Sequence, residues 1–205
     1  MPTDSRARKH PTAVFYGDSI VTGWRGTTTP TARWTGLVCA ELGWRGVDLA
    51  VDGMGWFRRR GPRDTAGELT PSATDTTLLD AAIHLAPDVV VTCLAANDAG
   101  FVDHHADEIR ASMRRDLIRL RNELPGVPVV VTAYVPARAT SQRLTTVLDW
   151  LVATAKELGL VHAEDSAHAV GDDPDLLCDD GIHPNDAGHA ALAASVLPTL
   201  RRLVL

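Results

Sequence analysis

Ser19, Asn97, Asp180 and His183 are the residues of this 205-residue chain whose types could carry one reaction together. Acyl transfer needs a nucleophile, a base beside it, a group that orients the base, and donors for the oxyanion. Ser19 follows Gly17-Asp18 at the end of a strand-forming run, Thr12-Ala13-Val14-Phe15-Tyr16. Glycine lets the backbone turn sharply there. A serine just past such a strand sits at the carboxyl edge of a sheet, where open α/β folds place their ligands. His183 would take the Ser19 proton and later protonate the leaving group. Asp180, three residues before it, would fix the imidazole tautomer and stabilise the imidazolium. The backbone N–H groups of Ser19 and Gly53 would bind the oxyanion. The Asn97 amide would be a third donor, one that carries no charge. Taken alone, Gly17-Asp18-Ser19 is also an ordinary turn tripeptide, so its meaning depends on what the rest of the chain brings to it.

The elements needed to position these residues are legible as alternating patterns. Residues 12–16, 47–51, 88–94, 127–133 and 160–163 read as strands, the third apolar on both faces as a central parallel strand should be. Between them, helical spacing predicts a helix capped by Thr31 and ended by Gly43, and helices over 74–86, 105–124 and 142–158. A last helix opens at Pro184 and runs to about Leu197, where Pro198 should kink or interrupt it. Val21 to Pro30 reads as a loop. Five strand–helix alternations predict a three-layer α/β/α sandwich with a five-stranded, mostly parallel sheet. The turns after strands one, two and three (Gly17-Asp18-Ser19, Asp52-Gly53, Asn97-Asp98) then converge on one edge, and the Asp180/His183 segment can reach it.

Composition is that of a globular protein, with 45% hydrophobic and 22% charged residues. The net charge of −6 disfavours a general nucleic-acid role. No signal peptide or membrane-span pattern is visible, and three widely spaced cysteines suggest neither a disulfide framework nor a zinc site; a cytoplasmic setting fits. Residues 1–11 read as a disordered basic tail and 12–205 as one domain. Trp24, Trp56, Phe57 and Arg58, with Arg59, Arg60 and Arg63 beyond, suggest a cleft with an apolar wall and a cationic rim. The substrate expected there is a small acyl ester with a polar or anionic partner group.

Four blocks in order resemble the GDSL/SGNH hydrolases: Gly17-Asp18-Ser19-Ile20, Val47-Asp48-Leu49-Ala50-Val51-Asp52-Gly53, Ala95-Ala96-Asn97-Asp98 and Asp180-Gly181-Ile182-His183-Pro184-Asn185. The resemblance implies a flavodoxin-like sheet, a serine esterase mechanism without metal or cofactor, and the roles given above. It departs at Ala95, where the family has glycine, and at Asp48, where it has asparagine.

Other chemistries fit less well. A metal-dependent hydrolase could draw on Asp18, Asp98, Asp180 and His183, but no His-rich ligand set stands at metal spacing and the serine would be idle. A non-catalytic binding module would have no use for four intact polar site residues. An acyltransferase, by contrast, fits the sequence as well as an esterase does: it would use the same acyl-serine and hand the acyl group to an alcohol or amine instead of water. Nucleotide binding lacks a Gly-rich phosphate fingerprint after the first strand. Asp18 and Asp98 read as braces for their own turns.

Overall fold

A computed structural model describes residues 10–58, 73–203 and 205. The expected tail over 1–11 lies mostly outside these residues, as do Arg59, Arg60 and Arg63. Within it, His10 Nδ1 lies 2.7 Å from Gly43 O, and Pro11 O accepts from Arg45 N.

Strands β1 (Thr12–Gly17), β2 (Arg45–Ala50), β3 (Val89–Cys93), β4 (Val129–Thr132) and β5 (Val161–His162) form one sheet in the order β2-β1-β3-β4-β5. Every pairing is parallel. This is the flavodoxin-like order, and it puts a topological switch point between β1 and β3, where a crevice opens beyond the strand ends. Ser19 follows the first of these strands and Asn97 the second.

The layers arise from the strand period of two. Val14 and Tyr16 of β1 enter one core with Met54, Leu79, Met113 and Leu117. Ala13 and Phe15 enter the opposite core with Trp34, Val38, Leu192 and Val196. The first face is covered by α3 (Thr77–His84), α4 (Val102–Glu123) and α5 (Gln142–Leu158), the second by α2 (Trp34–Leu42) and α6 (Asp186–Leu200). Cys39 and Cys93 are buried, as packing residues are.

Several boundaries differ from expectation, some for visible local reasons. Pro30–Ala32 form a separate 3₁₀ turn, so α2 starts at Trp34 rather than after a Thr31 cap. Helix α4 begins at Val102 and passes a non-helical His105 (φ −134°, ψ 27°), which hides its first turn from the periodic pattern. Pro198 lies inside α6, which continues to Leu200; the helix forgoes the one hydrogen bond that an N–H there would give to the carbonyl four residues before, and ends within a turn. Asn185 caps that helix by accepting from Gly188 N, so it starts at Asp186 rather than at Pro184. Among the described residues no helix is long and apolar enough to cross a membrane.

Candidate active site

Ser19 opens a one-turn helix, α1 (Ser19–Thr22), that was expected as loop from Val21 onward. Asp18 caps it, its Oδ1 accepting from Ile20 N at 2.9 Å, and Gly23 ends it at φ 70°. An Asp cap and a left-handed glycine so close together were the available signal. A Cβ at Gly17 would overlap Val21 and the Cys93 carbonyl, so only glycine lets the chain pass from β1 into this turn. Trp34 fixes the helix from behind, its Nε1 donating to Ile20 O at 3.0 Å. Its backbone N–H donates to Nδ1 of His189 in α6. Burial pushes the His189 imidazole down to about 4, which keeps that nitrogen an acceptor.

The segment carrying His183 is folded around Asp180. Asp180 Oδ1 accepts from the backbone N–H groups of Ile182 and His183, both at 2.9 Å. Cys178 N donates to His183 O, and the Tyr134 hydroxyl donates to Ile182 O at 2.7 Å. A Cβ at Gly26 would overlap the Pro184 carbonyl, and Thr28 donates twice to Asp186. The loop after α1 is thereby fastened to the segment holding the imidazole.

These constraints set one line of hydrogen bonds. Asp180 Oδ2 lies 2.8 Å from His183 Nδ1, and His183 Nε2 lies 3.0 Å from Ser19 Oγ. A carboxylate only accepts, so Nδ1 carries the proton and Nε2 is free to receive one from the serine. Burial opposes ionisation of Asp180, but the two backbone donors and the imidazole outweigh it and hold the carboxyl at about 2. Such a line can move a proton from hydroxyl to imidazole while its far end stays charged.

The other expected residues gather around it. The Asp52-Gly53 turn follows β2, with Gly53 at φ 78°, and Thr22 Oγ1 donates to Asp52 Oδ1 at 2.6 Å, joining that turn to α1. Asn97 Nδ2 donates to Asp18 Oδ2 at 3.0 Å and to Met54 O at 2.9 Å. Ala95 has an extended φ of 172°, so its methyl brings no left-handed strain where the family has glycine. Asp48 accepts from Arg33 and Thr35 and serves the packing of β2 against α2. The Asp98 carboxylate reaches beyond its own turn, accepting from Trp56, Phe57 and Arg58 in the loop after β2.

The substrate-wall residues divide. Trp24 is 41% exposed, its ring edge-on to His183 at 4.7 Å, with the Arg25 guanidinium 4.6 Å over it. Trp56 is corrected: it is fully buried in the core with Tyr16 and Met54, because the Asp98 contact turns the loop inward. Phe57 is buried and stacks on His105 at 4.8 Å. Arg58 lies over Phe101 at 5.9 Å. Phe101, edge-on to Phe57 at 5.8 Å, escaped the sequence reading because it ends a 3₁₀ turn (Ala96–Phe101) that has no helical period, whereas the His104-His105 pair reads from the sequence as a surface loop that could line the substrate path. A separate cavity of about 380 Å³ lies between α5 and the ends of β4 and β5, lined by Val135, Leu144, Leu148, His162 and His168 among others; none of the site residues borders it. Among the described residues no three His, Cys, Asp or Glu side chains form a group that could hold a metal ion.

Asp18 supplies a pH dependence of stability. Burial pushes its carboxyl up to about 7 from an ordinary 3.8; the Ile20 and Asn97 donors pull it down, and Asp98 adds to the rise. Between those values the folded state binds the proton that the unfolded state has lost. The contribution of Asp18 to stability therefore falls as pH rises from 3.8 to about 7. Asp18→Asn titrates in neither state. The Tm of Asp18→Asn minus that of the wild type is expected to climb across this interval and level off above it. A difference that stays constant with pH would refute the assignment.

An open parallel sheet carrying such a line at its carboxyl edge belongs with the ester-hydrolysing enzymes. Comparison with known proteins gives the same class. Residues 15–191 match the model of the GDSL-like lipase/acylhydrolase family, and the chain belongs to that family. It is 32% identical over 203 residues to a GDSL lipase of Mycobacterium tuberculosis, covering 94% of this chain and 82% of the relative. Its fold matches the crystal structure of TesA with a TM-score of 0.71, at 21% identity, over 94% of this chain and 99% of that one. It also matches an inhibitor-bound aryl esterase of M. smegmatis with a TM-score of 0.74, at 19% identity, over 95% of this chain and all of the other (100%).

Proposed function

We propose that the chain hydrolyses carboxylic esters through an acyl-Ser19 intermediate. Ser19 Oγ attacks the ester carbonyl as His183 Nε2 takes its proton. The imidazolium is stabilised by Asp180, and the negative charge gathers on the former carbonyl oxygen. The N–H groups of Ser19 and Gly53 hold that oxygen. Asn97 joins them by keeping one N–H on Asp18 and turning the other from Met54 O to the oxyanion. Collapse breaks the C–O bond to the leaving group, which receives the proton from His183. Water, deprotonated by the same imidazole, then releases the acid and restores Ser19. Trp24 forms the wall beside the imidazole, and the Arg25 cation against it suits an ester with a polar or anionic part.

The observation that carries this reading is the unbroken line from Asp180 through His183 to Ser19, at 2.8 and 3.0 Å. Family membership supports it. The test is intact-protein mass spectrometry after exposure to a serine-directed phosphonate. One adduct is expected on the wild type and none on Ser19→Ala. A folded wild type that takes no adduct, or an adduct that persists in Ser19→Ala, would overturn the proposal.

A further inference from the structure

Asp98 is fully buried, one residue past Asn97, and its contacts lie across the site in another block of the sequence. Its Oδ2 accepts from Trp56 N at 2.6 Å, and its Oδ1 from Phe57 N at 3.2 Å and Arg58 N at 2.9 Å. Three successive backbone donors on one carboxylate fix a loop in position, not merely in place along the chain. The loop closes on itself as well, since Gly55 N donates to Arg58 O at 2.7 Å. Gly55 lies so close to the carboxylate that a Cβ there would overlap it. Asn97 holds the same loop at its other end, through Met54 O. Gly53 is the residue just before Met54.

The loop after β2 and the turn after β3 are thus one unit. We propose that Asp98 is a positioning residue that sets the spacing between the Gly53 N–H and the Asn97 amide, and so shapes the oxyanion pocket. This rests on the reading of Gly53 and Asn97 as oxyanion donors. Asp98 itself touches no reacting atom. Its effect must appear in the transition state, because the developing oxyanion, unlike the ground-state carbonyl, depends on where those donors stand.

Asp98→Asn keeps the volume but replaces one accepting oxygen with a donor, which then faces a backbone N–H. With p-nitrophenyl acetate it is expected to lower kcat by about 10²-fold and to change KM by less than about threefold, in keeping with the cost of a misplaced donor. Affinity for a trifluoromethyl ketone, whose serine adduct carries an oxyanion, should fall by the same factor as kcat/KM. The pH profile should keep its shape, because the base is untouched. Gly55→Ala pushes the loop off the same carboxylate and should reproduce the kcat loss, which keeps the inference testable if Asp98→Asn folds poorly. Ser19→Ala is assayed beside both. If Ser19→Ala is inactive while a folded Asp98→Asn or Gly55→Ala keeps wild-type kcat and ketone affinity and loses only Tm, Asp98 is a structural clamp and the inference fails alone. If Ser19→Ala stays active, the esterase reading falls and the inference with it.

Discussion

Ser19→Ala is expected to lower kcat on p-nitrophenyl acetate by about 10⁵- to 10⁶-fold, the scale seen when the nucleophile of a serine enzyme is removed. One atom is lost, the Oγ that lies 3.0 Å from His183 Nε2. Neighbouring donors and binding contacts survive, so a remainder above the uncatalysed rate should persist. Ser19 is only 9% exposed, but its side chain is small and its backbone is held by the Asp18 cap. The fold should therefore tolerate the change, with Tm shifted by no more than a few degrees, roughly what about 1 kcal/mol produces. Steady-state kinetics with a thermal melt on the same sample checks both. Activity within about a hundredfold of wild type would mean that another group attacks, since loss of a true nucleophile costs far more.

Asp180→Asn is expected to cost about 10⁴-fold in kcat, for a reason specific to the way this carboxylate is bonded. Oδ1 accepts two backbone N–H groups, from Ile182 and His183. An asparagine would keep its only acceptor on those two donors, because turning it round would set its NH₂ against both. The amide nitrogen then faces His183 Nδ1 where Oδ2 stood. Nδ1 must become an acceptor, the proton moves to Nε2, and the imidazole can no longer take the serine proton. Asp180→Ala removes the wrong donor as well as the right acceptor, but it also frees the turn that shapes this segment. Asparagine should therefore lose activity with the smaller loss of Tm. Wild-type kcat in a folded Asp180→Asn would remove Asp180 from the mechanism.

The strands and layers were legible because each signal was local or periodic. The apolar runs of β1, β3 and β4 and the stripe of α5 are written in adjacent residues. The site was legible for a different reason: a parallel sheet brings the turns after its strands to one edge, so chain order alone convenes Ser19, Gly53 and Asn97. Contacts that cross between turns were not legible. Nothing in the spacing of Asp98 says that its carboxylate serves residues 56–58, and from that contact follows the burial of Trp56, which composition had suggested as part of a substrate wall. Gly26 was equally silent, since its need for a small residue comes from the Pro184 carbonyl, far along the chain. Burial also reverses ordinary expectations for charge. Asp18 looks like a plain turn acid, yet full enclosure pushes its carboxyl up to about 7.

The proposed nucleophile follows the first strand and its proposed base precedes the last helix, 164 residues apart. A growing chain thus makes this serine long before the histidine that would serve it. Until α6 docks and the loop after α1 fastens to Asp186, the serine stands without its proposed partner. On this reading, activity reports that two distant parts of the chain have met.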